Sequence, residues 1–91
     1  MTKSELIKKL ADQTGMQNEV AAIMVDTVLE EITASLERGQ RVELRGFGSF
    51  GLKDRKAREG RNPKTGEAVT IPAKRVSFFK AGKELKDRVD S

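Results

Sequence analysis

Five cationic side chains fall within nine residues, Lys53, Arg55, Lys56, Arg58 and Arg61, in a stretch with almost no apolar residue. Guanidinium and ammonium groups at that density suit a polyanion, because each can neutralise one phosphate. Asn62-Pro63-Lys64-Thr65-Gly66 follows. It is a strong turn signal, in which proline presets its own φ and glycine accepts a left-handed one. The pattern describes a hairpin tip. A second use coexists with it: Pro63 offers a rigid apolar wedge at the end of a basic ribbon, and apolar wedges pushed between base steps in the minor groove unstack and kink DNA.

Covalent and acid–base chemistry has far fewer candidates. Histidine and cysteine are absent, which leaves carboxylates, lysine and the termini for proton transfer near neutral pH. No carboxylate pair falls in an apolar setting, and Asp26, Glu30 and Glu31 read as the wet face of a helix. Without these two residue types, disulfides and thiolate or imidazole metal sites are excluded. The chain is therefore expected to be no enzyme and to use no cofactor, metal or small-molecule ligand.

Two glycine motifs match literally and fail in context. Gly46-Phe47-Gly48-Ser49-Phe50-Gly51 has the GxGxxG spacing, but the dinucleotide version must open a helix, whereas Leu52-Lys53-Asp54-Arg55 continues as strand. The kinase version belongs to a far larger catalytic domain. Arg45-Gly46-Phe47-Gly48 starts like an RNA-recognition signature, yet Ser49 and Leu52 stand where aromatics belong, and two helices precede any strand.

The elements that position the basic segment are legible from charge and period. Residues 1–50 carry six Lys or Arg against eight acids, net −2, and residues 51–91 carry twelve against six, net +6. That asymmetry points to a polyanionic partner; a solvated basic face would show it equally. At 91 residues there is one domain with little surface to bury alone, so oligomerisation is expected to supplement its stability. No apolar run of membrane-spanning length occurs, and Met1-Thr2-Lys3-Ser4-Glu5 leads into no signal core.

Thr2 and Glu5 have capping-box spacing, and Leu6, Ile7, Leu10 and Ala11 share a helical stripe until Gly15. Ala21, Met24, Val25, Val28, Leu29, Ile32 and Leu36 then recur at helical spacing until Gly39. Their stripe is too wide for one short helix to cover, so a second chain or the sheet must cover it. From Gln40 the period becomes two: Val42 and Leu44 oppose Arg41, Glu43 and Arg45. Gly46-Phe47-Gly48 is expected to be a turn, with Phe50 and Leu52 in the next strand. Residues 53–76 are expected to form one long two-stranded arm, Pro72 fitting the open edge of an isolated ribbon. Gly82 to Val89 should close the chain as a short helix with Leu85 and Val89 inward.

The segments Arg45-Gly46-Phe47-Gly48-Ser49-Phe50, Gly60-Arg61-Asn62-Pro63-Lys64-Thr65-Gly66 and Phe79-Lys80-Ala81-Gly82-Lys83-Glu84-Leu85-Lys86 resemble, in order and spacing, the signatures of the HU and integration host factor family of bacterial DNA-bending proteins. The resemblance covers essentially the whole chain. It implies an α+β fold: a helical base, a short antiparallel sheet and a long protruding two-stranded β-arm, in an intertwined dimer. The single domain over 1–91 would divide into a dimerising body, 1–52 and 77–91, and a DNA-embracing arm, 53–76.

What the family does implies the partners and the sites. Double-stranded DNA would be bound in the minor groove and bent by a homodimer, or by a heterodimer with a related subunit, in the cytoplasm at the nucleoid. Pro63 would intercalate at each arm tip. Lys53, Arg55, Lys56, Arg58, Arg61, Lys64, Lys74 and Arg75 would line the arms, with Asn62 and Thr65 at the tip. Lys80, Lys83 and Lys86 would meet flanking phosphates near a helix N-terminus. Lys3, Arg41 and Gly46 would also touch DNA, and Leu29, Ile32, Leu36, Leu44, Phe47, Phe50 and Phe79 would form the dimer core.

Within the family, the opening residues and Arg41-Val42-Glu43-Leu44-Arg45 are similar to the beta subunit of integration host factor, which implies that Glu43 and its flanking arginines favour particular DNA sequences. Ala81 and Ser77 replace prolines common in the family. Binding of structured RNA, and a scaffold whose arms hold another protein, are the rival readings.

Overall fold

The computed structural model describes residues 1–90. Helix α1 spans Lys3–Thr14; Thr2, extended at its N-cap, accepts from the Glu5 amide at 3.1 Å, and Gly15 ends the helix in the left-handed region. Helix α2 spans Asn18–Glu37. Its exit is a Schellman closure: Gly39 has φ 78°, the Gly39 amide donates to Leu36 at 3.0 Å, and the Gln40 amide donates to Ser35 at 2.9 Å. A side chain at Gly39 would be strained there, so the glycine fixes where α2 stops and the sheet begins.

Strands β1 (Val42–Leu44), β2 (Gly48–Arg55) and β5 (Lys74–Ala81) form an antiparallel sheet in the order β1-β2-β5. Phe50 lies opposite both Val42 and Phe79. The turn between β1 and β2 keeps its three residues but falls one position earlier than expected, at 45–47. It is closed by the Phe47 amide on the Leu44 carbonyl at 2.9 Å with Gly46 left-handed, and Gly48 already belongs to β2.

The arm is not one continuous ribbon. Its root, residues 53–55 and 74–76, extends the β2–β5 ladder, and its outer part is a separate ladder of β3 (Arg58–Arg61) and β4 (Ala68–Ile71). Lys56-Ala57 and Pro72-Ala73 lie between the two. Pro72 therefore stands in the break rather than on a ribbon edge; proline has no amide for the ladder, and a break is where that costs least.

Helix α3 (Lys83–Asp90) closes the chain. Leu85 is half-buried, but Val89 is 73 % exposed, against the inward position expected. Throughout, burial within one chain is slight: among the described residues the buried apolar side chains are Ala11, Ala21 and Val25. The radius of gyration is 19.1 Å, with extents of 59 × 32 × 28 Å. A compact domain of this length would have a radius of about 12 Å, so the fold is drawn out by its arm.

Candidate nucleic-acid interface

The arm presents charge because its strands have nothing to pack against. Arg55, Lys56, Arg58, Arg61, Lys64 and Lys74 are all exposed. At the tip the Gly66 amide donates to the Asn62 carbonyl at 2.7 Å, and the Asn62 amide donates to the Glu67 carbonyl at 2.8 Å. Two side chains assigned to DNA from sequence also build this turn: Asn62 Oδ1 accepts from the Lys64 amide at 2.9 Å, and Thr65 Oγ1 from the Glu67 amide at 3.3 Å. The turn holds Pro63 exposed at the far end of the arm.

A second basic region lies on the body. Glu43, Ser49 and Lys80 stand side by side across the three strands, and with Arg41, Lys53, Phe78, Lys83 and Lys86 they line a groove between the sheet and α3. Asp87 and Asp90 of α3 also line it. Arg41 forms an ion pair with Glu43 at the groove's edge. Arg45 and Gly46 border a neighbouring hollow with Glu43 and Gly82. The structure thus brings Lys80, Lys83 and Lys86 together with Arg41 and Lys53, as a phosphate-binding flank needs.

Two assigned cations are placed elsewhere. Lys3 Nζ lies 2.7 Å from Asp26 of α2, both side chains more than half exposed. The Arg75 guanidinium turns from the arm to the body and donates to the Glu37 carbonyl at 3.3 Å, at the C-terminal end of α2. A cation there complements the helix dipole.

The expected dimer core clusters and stays open. The Phe79 ring centroid is 5.3 Å from that of Phe47 and 4.9 Å from that of Phe50, both pairs tilted. Yet Phe47 is 45 % and Phe79 42 % exposed, Leu29 is 47 % exposed and Leu44 is likewise exposed, with Ile32, Leu36 and Phe50 half-buried. An apolar face of this extent on so small a chain marks an interface.

Sequence reasoning missed Phe78. Its ring lies on the opposite side of β5 from Phe79, against Gly51 of β2 and beneath the Lys53 ammonium. Period-two alternation separates Phe78 from Phe79, but only the β2–β5 register shows that Phe78 falls opposite a glycine. No helix among the described residues is long and apolar enough to cross a membrane, and no cluster of three or more acidic metal-ligating side chains occurs among them.

A family described as bacterial DNA-binding protein matches residues 1–90. The chain belongs to this family. It is 58 % identical to integration host factor subunit beta of Haemophilus influenzae, over 99 % of this chain and 97 % of that protein. It is 47 % identical to integration host factor subunit alpha of Actinobacillus pleuropneumoniae, over 100 % of this chain and 93 % of that one. Among solved structures it resembles the HU of an Anabaena HU–DNA cocrystal, with a TM-score of 0.89 and 44 % identity over 98 % of this chain and 97 % of that one. HU from Thermotoga maritima matches with a TM-score of 0.68 and 31 % identity, over 98 % of each chain.

The resemblance carried by the three sequence segments is thereby borne out, as is the α+β fold with a β-arm. As a member of the HU and integration host factor family, the chain is an architectural DNA-binding protein and not an enzyme.

Proposed function

We propose that a dimer of this chain bends duplex DNA by embracing it with two basic arms and wedging Pro63 of each arm into the minor groove. The observation that carries this reading is the exposed Pro63 at the tip of a cationic ribbon that has no packing of its own. Phosphate contacts from the arm cations and from Lys80, Lys83 and Lys86 supply most of the affinity, and the cost of deforming each sequence supplies most of the selection. Arg41, Glu43 and Arg45 add a preference among sites, the role expected from the likeness to integration host factor beta.

The body, 1–52 and 77–91, makes the dimer through Leu29, Ile32, Leu36, Leu44, Phe47, Phe50 and Phe79; residues 53–76 form the DNA-embracing arm. The partner subunit is a second copy or a related chain; relatives of both the alpha and the beta kind share this architecture. The protein works in the cytoplasm at the nucleoid, which it organises and condenses.

The test is affinity for duplex DNA against salt, with structured RNA as competitor. Each phosphate neutralised should contribute about −0.9 to the slope of log K against log salt, so a slope of several units is expected. A nearly flat slope, or stronger retention on RNA, would overturn the proposal in favour of a protein-binding or an RNA-binding arm.

A further inference from the structure

The Lys53 ammonium lies 5.0 Å from the centroid of the Phe78 ring. Phe78 can be there because its cross-strand partner is Gly51: a β-carbon built on Gly51 would come within 2.8 Å of that ring. The ring thus fills the place of a missing side chain and forms a flat, half-buried floor beside the basic groove.

We infer that Phe78 is a positioning residue for DNA binding: its ring holds Lys53 extended at the arm root, ready to take a phosphate. Three other cations near the body differ in kind. Arg41 is paired with Glu43, Lys3 with Asp26, and Arg75 is bonded to the Glu37 carbonyl. Each has an oxygen acceptor that a phosphate must displace or share. A ring face attracts the ammonium without an oxygen acceptor, so the outward N–H groups of Lys53 remain available for phosphate. Restricting a long lysine before binding also lowers the entropy lost when it docks. Asp54, which follows Lys53, projects to the other side of β2, since successive side chains alternate; it does not compete from its own strand.

The inference rests on the DNA-binding reading and is tested with the dimer of this chain on one duplex at moderate salt. Phe78→Leu keeps an apolar cover over Gly51 and removes the aromatic face; Phe78→Tyr retains it. Phe78→Leu is expected to weaken binding about three-fold, within the cost of immobilising one long side chain on docking, and Phe78→Tyr to restore parental affinity. In a Lys53→Gln background, Phe78→Leu should have no further effect. Equal affinity of Phe78→Leu and parent, tighter binding by Phe78→Leu, or the same loss with and without Lys53 would overturn the positioning role while leaving DNA binding intact. A parent that fails to bind duplex DNA would overturn both.

Discussion

The Phe79 ring crosses the backbone of Gly48 so closely that a β-carbon built there would stand 2.5 Å from its Cζ and 2.6 Å from the Lys80 carbonyl oxygen. The backbone neighbour cannot swing aside. Gly48→Ala is therefore expected to cost about 1–3 kcal/mol, as overpacking does. Gly51→Ala meets the Phe78 ring alone, which is half-buried and can turn, so its cost should be smaller. Urea denaturation of both variants checks the order; equal losses would show that Phe79 is not locked over Gly48. These two positions are the second and third glycines of the spacing that imitates a nucleotide motif and are seats for two phenylalanine rings; the first, Gly46, is left-handed at φ 85° and serves the turn.

Arg75 ties the root of the arm to the end of α2 through the Glu37 carbonyl. The contact is exposed, so Arg75→Ala is expected to lower stability by no more than about 1 kcal/mol. Thermal unfolding should show a small fall in midpoint, with a wider spread of arm orientations in spin-label distance measurements. An unchanged midpoint together with a clear loss of DNA affinity would instead put Arg75 on the DNA.

Phe79 touches Phe47 and Phe50 and is still 42 % exposed within one chain. If a second subunit covers it, Phe79→Ala should cost about 3 kcal/mol or more and shift sedimentation toward monomer. The parent's thermal midpoint should rise with protein concentration, as mass action requires of a dimer. A concentration-independent midpoint and a loss near that of a surface residue would contradict the assigned dimer core.

The first two helices were legible in the sequence because their signals are local: Thr2 with Glu5 at one start, Gly15 and Gly39 at the two ends, and an apolar period between them. The hairpin tip was legible for the same reason, since Asn62, Pro63 and Gly66 specify it within a few residues. The break in the arm was not. Pro72 is compatible with an edge or with an interruption, and only the gap in pairing opposite Lys56-Ala57 decides between them. Arg75 and Phe78 were obscured likewise, one by a contact across 38 residues of chain, the other by strand register. Val89 followed the helical period correctly, but period says nothing about whether an element lies there to receive it.

Bending of DNA by this chain is read directly by energy transfer between dyes on the two ends of a duplex of about 35 base pairs, well below the persistence length. The protein is titrated alone and as a mixture with a related subunit. The ends are expected to approach each other at sub-micromolar protein in at least one titration, and Pro63→Ala, which keeps every charge, should bind at a similar concentration while drawing the ends less close. Ends that stay apart at saturation in both titrations would show that the chain does not bend DNA, and equal end-to-end distances for parent and Pro63→Ala would show that Pro63 is no wedge.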